Sequence, residues 1–311
     1  MKFIFTLTLA LLLSSTSLAS VNTVTNLLNS GPGSLRNTIA NATSGDTIRF
    51  NPNLISAGNA TIVLTSEIAF NKNLTIIGLY NATDTLFISG NNTNRIFHVD
   101  LSSSTIKTLV LDSVALINGK TSGDGGAIRF INGSALNIVN SFISKNQASK
   151  GAGVYSLSTI STIIKLEHST INGNYGDGIY STSATSSVTS TVQVRFSTIS
   201  GNTGSGVYAN TILESIVYLT NSRVSENNRN GVYSLSSTSR IIINNSMAIG
   251  NKQYGAFSYS YVSSPSTSSG RSGIKLINST ISGNTEAGIY SFSSSLFGYS
   301  LHYLFGNKCH Y

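Results

Sequence analysis

The sequence predicts an all-β chain wound as a single-stranded, right-handed parallel β-helix of about nine or ten coils, with a short N-terminal capping helix. Three observations predict it. The phrase STISGN stands at residues 197–202 and again at 279–284, with the near copy STINGN at 169–174. Aligned on its closing asparagine, the phrase recurs at Asn146, Asn174, Asn202, Asn227, Asn251 and Asn284. Each unit holds three short strand-like pieces separated by Gly, Asn and Ser turns, and none has helical periodicity. A unit of about 25 residues cannot bury a face alone, so it must stack on its neighbours.

Residues 1–19 read as a secretory signal peptide. Lys2 precedes an apolar stretch from Phe3 to Leu13, and Ser17 and Ala19 form the small-x-small pattern of a cleavage site. No cysteine follows the stretch to carry a lipid. The expectation is export by the Sec pathway to a secreted or outer-surface location. No later apolar run approaches the ~20 residues that a membrane-spanning helix needs. The single cysteine, Cys309, excludes an internal disulfide, so packing and backbone pairing must hold the fold.

Residues 20–50 are expected to cap the first coil. In GPGSLRNTIANATSGDTIRF, Ser34 is placed to cap a short helix with Leu35 and Ile39 on one face. Such a cap covers an open coil end that would otherwise invite edge pairing.

Residues 51–292 form the expected β-helix. Like positions of successive coils lie one above another, ~4.8 Å apart. One inward column is Ile143, Ile171, Ile199, Val224 and Ile281; a second is Ile128, Val154, Ile179, Val207, Val232 and Ile289. The column from Asn146 to Asn284 is predicted to be a structural asparagine ladder, because an amide both donates and accepts. A second, partial column holds Asn140, Asn221, Asn245 and Asn278, with His168 and Phe196 in the remaining places. Glycines before the third strand, such as Gly206, are expected to supply a backbone angle closed to other residues. Residues 259–273, with Pro265, lengthen one unit and read as a loop leaving the coil; a tolerated insertion and a binding loop are both open readings. Residues 293–311 read as a C-terminal cap or a truncated tail.

The opening GPGSLRNTIANATSGDTIRF resembles the N-terminal signature of exported bacterial right-handed β-helix proteins. GGAI at 125–128 and the I-x-x-N phrases resemble the GGAI and F-x-x-N repeats of the chlamydial polymorphic outer-membrane proteins. The match covers residues 31–292, with Ile143, Ile171, Ile199 and Ile281 in the aromatic place. The resemblance implies a surface-exposed or secreted passenger, often an adhesin. It departs at the C-terminus. A membrane barrel needs at least eight strands of ~9–11 residues, and the 21 residues after Tyr290 do not supply them.

β-Helices also carry polysaccharide lyases and glycoside hydrolases, whose chemistry needs paired acids. Asp124 and Asp177 come nearest to a catalytic pair, two coils apart in neighbouring columns, about 10 Å by strand spacing. Glu167 and His168 are adjacent in sequence, and alternation sends them to opposite faces. Asp100, Asp112, Glu214, Glu226 and Glu286 find no acidic partner in a matching column. No metal spacing, phosphate loop or nucleophile elbow is present, and no cofactor is expected. The formal charge of +8 comes from scattered residues and gives no nucleic-acid footprint.

The most regular candidate is aromatic. Directly after each inward residue of the third strand stand Arg129, Tyr155, Tyr180, Tyr208, Tyr233, Phe257 and Tyr290, an outward file by parity. Stacking between strand neighbours accounts for it, and ligand binding is compatible with that. The sequence therefore points to a non-catalytic protein binding glycans or the surface molecules of host or neighbouring cells. The alternative is a lyase or hydrolase of pectate-lyase-like architecture.

Overall fold

The computed structural model describes residues 19–103, 107–262, 271–295 and 302–307. The proposed signal peptide up to residue 18, Pro265 with residues 263–270 of the expected loop, and Cys309 lie outside them. Three parallel sheets form a right-handed β-solenoid of about nine turns, the hand expected of parallel crossovers. Sheet I has eleven strands, from Val21–Val24 to His302–Asn307. Sheet II has nine, from Ala60–Val63 to Thr280–Ser282. Sheet III has nine, from Ile68–Phe70 to Ala287–Ser295. One coil reads Ala135–Val139 in sheet I, Phe142–Ser144 in sheet II and Val154–Ser158 in sheet III.

The inward columns run in register. Ile143, Ile171, Ile199, Val224, Ala248 and Ile281 are consecutive partners. So are Ile128, Val154, Ile179, Val207, Val232, Ala256 and Ile289. One buried apolar core extends from Val24 to Ile281. Burial of each such side chain contributes about 1.5–3 kcal/mol.

The asparagine column is hydrogen-bonded along the axis. Oδ1 of each asparagine from Asn174 to Asn284 accepts both the backbone N–H and the Nδ2–H of the one before it, at 2.9–3.1 Å. Nδ2 also donates to a carbonyl of the preceding coil, as Asn174 does to Ile143 at 3.2 Å. The column begins where the Gly119 N–H donates to Asn146 Oδ1 at 2.7 Å. Asn146 to Asn251 are fully buried with these bonds made.

The second asparagine column differs from expectation. Asn140, His168, Phe196, Asn221, Asn245 and Asn278 all have φ between 46° and 49°. They are the left-handed bend between sheets I and II, a conformation that asparagine tolerates well. The ladder lies one residue later, in serine. Ser141, Ser169, Ser197, Ser222 and Ser246 each donate N–H to the next coil's serine Oγ at 2.9–3.2 Å. Each of those serines, with Ser279, donates its hydroxyl to the carbonyl two residues back. A third hydroxyl seam joins sheets III and I inside the coil, where Ser215, Ser234, Ser239, Ser258 and Ser272 bond in that order at 2.8–2.9 Å.

The glycines before the sheet III strands are of two kinds. Gly206 has no positive φ. It is glycine because a Cβ there would lie 2.6 Å from Val224 Cγ1 and 2.7 Å from the Gly231 carbonyl. Gly125 and Gly151, ahead of the same sheet, do have positive φ, 73° and 54°, and a further set of left-handed glycines stands just before the asparagine ladder, as Gly201 does with φ 63°.

At the N-terminal end, helix α1 (Leu35–Asn41) is capped by Ser34 Oγ, which accepts from Asn37 N–H at 3.2 Å, and buries Leu35 and Ile39. Arg36 ties it to the first coils through the Glu67 and Ser66 carbonyls at 2.8 and 2.7 Å. Within residues 20–50, Thr47–Phe50 pairs with Val21–Val24 and so belongs to sheet I. At the other end, Ala287–Ser295 crosses residue 292, and His302–Asn307 adds an eleventh strand to sheet I.

The two kinds of glycine separate by substitution. Gly206→Ala should cost about 3 kcal/mol or more from overpacking. Gly201→Ala, with its nearest neighbour 3.8 Å from the new carbon, should cost only the left-handed strain of about 1–2 kcal/mol. Urea unfolding of both variants measures the difference.

Candidate aromatic face and its charged head

The outer face of sheet III carries one column through nine strands: Ala69, His98, Arg129, Tyr155, Tyr180, Tyr208, Tyr233, Phe257 and Tyr290. Its rings stack from Tyr155 to Tyr290 with centroids 4.5–5.7 Å apart and planes within 6–19°. The strand repeat sets that spacing. Tyr259 and Phe292 stack beside it at 5.5 Å, and Tyr254 leans on Phe257 and Tyr290.

Outward does not mean exposed along the whole file. Tyr155 and Tyr180 are 5% and 8% exposed and form a satellite cluster with Ile131, packed by Leu157 and Tyr208. Lys150 Nζ sits 5.5 Å from the centre of the Tyr180 ring. Tyr208 and Tyr233 are half-buried, and Tyr290 is 40% exposed. The accessible part of the file is therefore its C-terminal half. Burial, then the charge of Asp124, pushes the Tyr155 phenol up to about 12. Burial also raises Tyr208 and Tyr233.

A charged group heads the file, and most of it escaped sequence reasoning. Glu67 pairs with Arg95 and accepts from His98 Nδ1 at 3.4 Å. His98 Nε2 lies 2.7 Å from Arg129 Nη1. Arg95 also donates Nε–H to the Asp124 and Gly125 carbonyls at 3.1 and 2.9 Å. Burial opposes ionisation of Asp100, but bonds from Ser102 and the charge of nearby Arg129 outweigh it and lower its pKa. Ala69, Phe70, Asn71, His98 and Asp100 line a depression of about 320 Å³ there. The sequence signal was present in the EIAF and RIFHVD segments. The repeat is weakest there, so His98 could not be aligned above Ala69.

The structure does not unite the predicted acid pair. Asp124 bridges in register to Lys150, whose coil intervenes before that of Asp177. Asp177 is buried and accepts the Ser205 N–H at 2.8 Å; burial raises its pKa against that bond and nearby Arg229. Its position is that of a turn cap. His168 stacks on Phe196 at 5.0 Å within the left-handed bend. Asp112 does share a column with Glu167, with Val139 between them, contrary to the sequence alignment. Glu214 pairs with Arg240, Glu226 with Arg223, and Glu286 bonds Tyr254. Among the described residues, no group of three or more His, Cys, Asp or Glu side chains is placed to hold a metal ion. No helix among them is long and apolar enough to cross a membrane.

No family model matches the chain, and no curated protein matches it. The resemblance to the chlamydial repeats thus rests on their letters alone. Among solved structures, the pectate lyase Pel9A is similar over 88% of this chain and 68% of that chain, at 14% identity and a TM-score of 0.42.

The buried phenols make an alkaline prediction. A tyrosine raised in the folded state stabilises it fully below the unfolded value near 10, and the contribution is lost as pH rises toward the folded value. Phenolate absorbance should show Tyr155 ionising near 12, with unfolding favoured over that interval. Asp124→Asn should lower the Tyr155 value.

Proposed function

We propose that this chain is a non-catalytic binding protein, exported through residues 1–19, whose sheet III face lies along an extended glycan on a cell or matrix surface. The observation that carries this reading is the unbroken, evenly spaced file from Tyr155 to Tyr290. Because the rings stack in parallel, their faces cover one another. What they offer to solvent is ring edges and a row of phenolic hydroxyls. That surface suits a ligand rich in hydroxyls and periodic along the axis better than a flat apolar partner.

Hydroxyl removal tests the reading without breaking the stack. Each hydrogen bond contributes about 0.5–1.5 kcal/mol, so Tyr208→Phe and Tyr233→Phe should each weaken glycan binding by about twofold to tenfold. Stability should fall by no more than the Tyr208–Tyr233 hydroxyl bond, about 0.5–1.5 kcal/mol. A glycan array followed by titration of the best ligand measures both. Unchanged binding by the double variant removes the face from the account. Unsaturated sugar released from polygalacturonate, alginate or chondroitin would instead make the protein a lyase.

A further inference from the structure

The head of the file holds a guanidinium with a weak partner. Arg129 Nη1 is 2.7 Å from His98 Nε2. A guanidinium only donates, so Nε2 must accept. The imidazole is therefore neutral, with its proton on Nδ1 facing Glu67 Oε1. The other charged groups around it are committed. Glu67 pairs with Arg95. Arg36 holds the Glu67 and Ser66 carbonyls. Asp100 is bonded by the N–H and hydroxyl of Ser102. Asp124 lies against the Tyr155 hydroxyl. Among the described residues Arg129 forms no ion pair with a carboxylate. The depression lined by Ala69, His98 and Asp100 opens beside this contact, and Ala69, the register partner of His98, projects only a methyl group.

We propose that Arg129 and His98 form a subsite for an oxyanion, a carboxylate or sulfate carried on the glycan, at the N-terminal end of the aromatic file. The class of carrier rests on the glycan reading above; the subsite itself does not. The incoming oxyanion takes the guanidinium in paired hydrogen bonds, which are stronger than the bond to a neutral imidazole. The released Nε2 then binds a proton from solvent and donates it to the same oxyanion. One proton is taken up per anion bound, and no covalent bond changes. Glu67 stays on Nδ1. The sign follows from linkage: a proton bound with the ligand makes binding tighter as pH falls through the range in which imidazole titrates.

The test uses galacturonate and inorganic sulfate as probes, with the intact protein, at about pH 8 and about pH 5.5. Affinity comes from calorimetry and placement from the His98 ring signals by NMR. At least one probe should bind about tenfold or more tightly at the lower pH, up to about tenfold per pH unit for one linked proton. It should also shift the His98 signals. Arg129→Gln should abolish this binding, and His98→Gln should bind with no pH dependence. An equal gain on acidification in His98→Gln, or binding that leaves the His98 signals unmoved, overturns the subsite. So does a wild-type protein that binds neither probe. The glycan-face reading fails separately: polymer binding would then ignore loss of the Tyr208 and Tyr233 hydroxyls even where galacturonate still binds.

Discussion

Vertical registry is the constraint on which the rest of this structure depends. Each residue lies over its counterpart one coil below, and the asparagine ladder enforces that alignment. A buried Oδ1 takes two N–H groups from the coil before it, and its own Nδ2 continues the chain of bonds. A slip by one residue would leave those donors buried without partners, at about 1–3 kcal/mol each. The serine ladder repeats the device at the bend between sheets I and II. With two corners fixed, the inward isoleucines and valines have no other place to stack.

The six letters STISGN can now be assigned. Ser197 is a ladder hydroxyl, Thr198 points outward, and Ile199 fills the core. Ser200 closes the strand, Gly201 makes the left-handed turn, and Asn202 is the ladder amide. The fold was legible because stacking repeats the letters. The reasons for some letters were not. A glycine required by a neighbour's carbonyl, such as Gly206, looks in sequence like one required by its own φ. Ser197 draws less notice in sequence than Phe196, although the column of serines is the more regular of the two. The hydroxyl seam between sheets I and III joins residues of different strands that no single alignment column displays.

The site was legible to a different degree. Parity placed the tyrosine file on the outer face, but parity carries no information on what covers it. Tyr155 and Tyr180 are sealed by Ile131 and by their own neighbours. The charged head was hidden for another reason. Glu67, Arg95 and His98 come from coils where the repeat has drifted, and their contacts cross coils. Only registry in space brings them to the head of the file, below Arg129. The long face is thus built from one repeated solution, closed at its head by residues that depart from it.

The most direct test of registry is the stability of Asn202→Ala beside that of Asn140→Ala, measured by urea unfolding. Asn202 is a buried ladder amide, whereas Asn140 is an exposed residue of the bend. Loss of the Asn202 acceptor strands two buried donors of Asn174 and should cost about 3 kcal/mol or more, against about 1–2 kcal/mol for the bend. Equal costs for the two variants would contradict the ladder as the element that holds the coils in line.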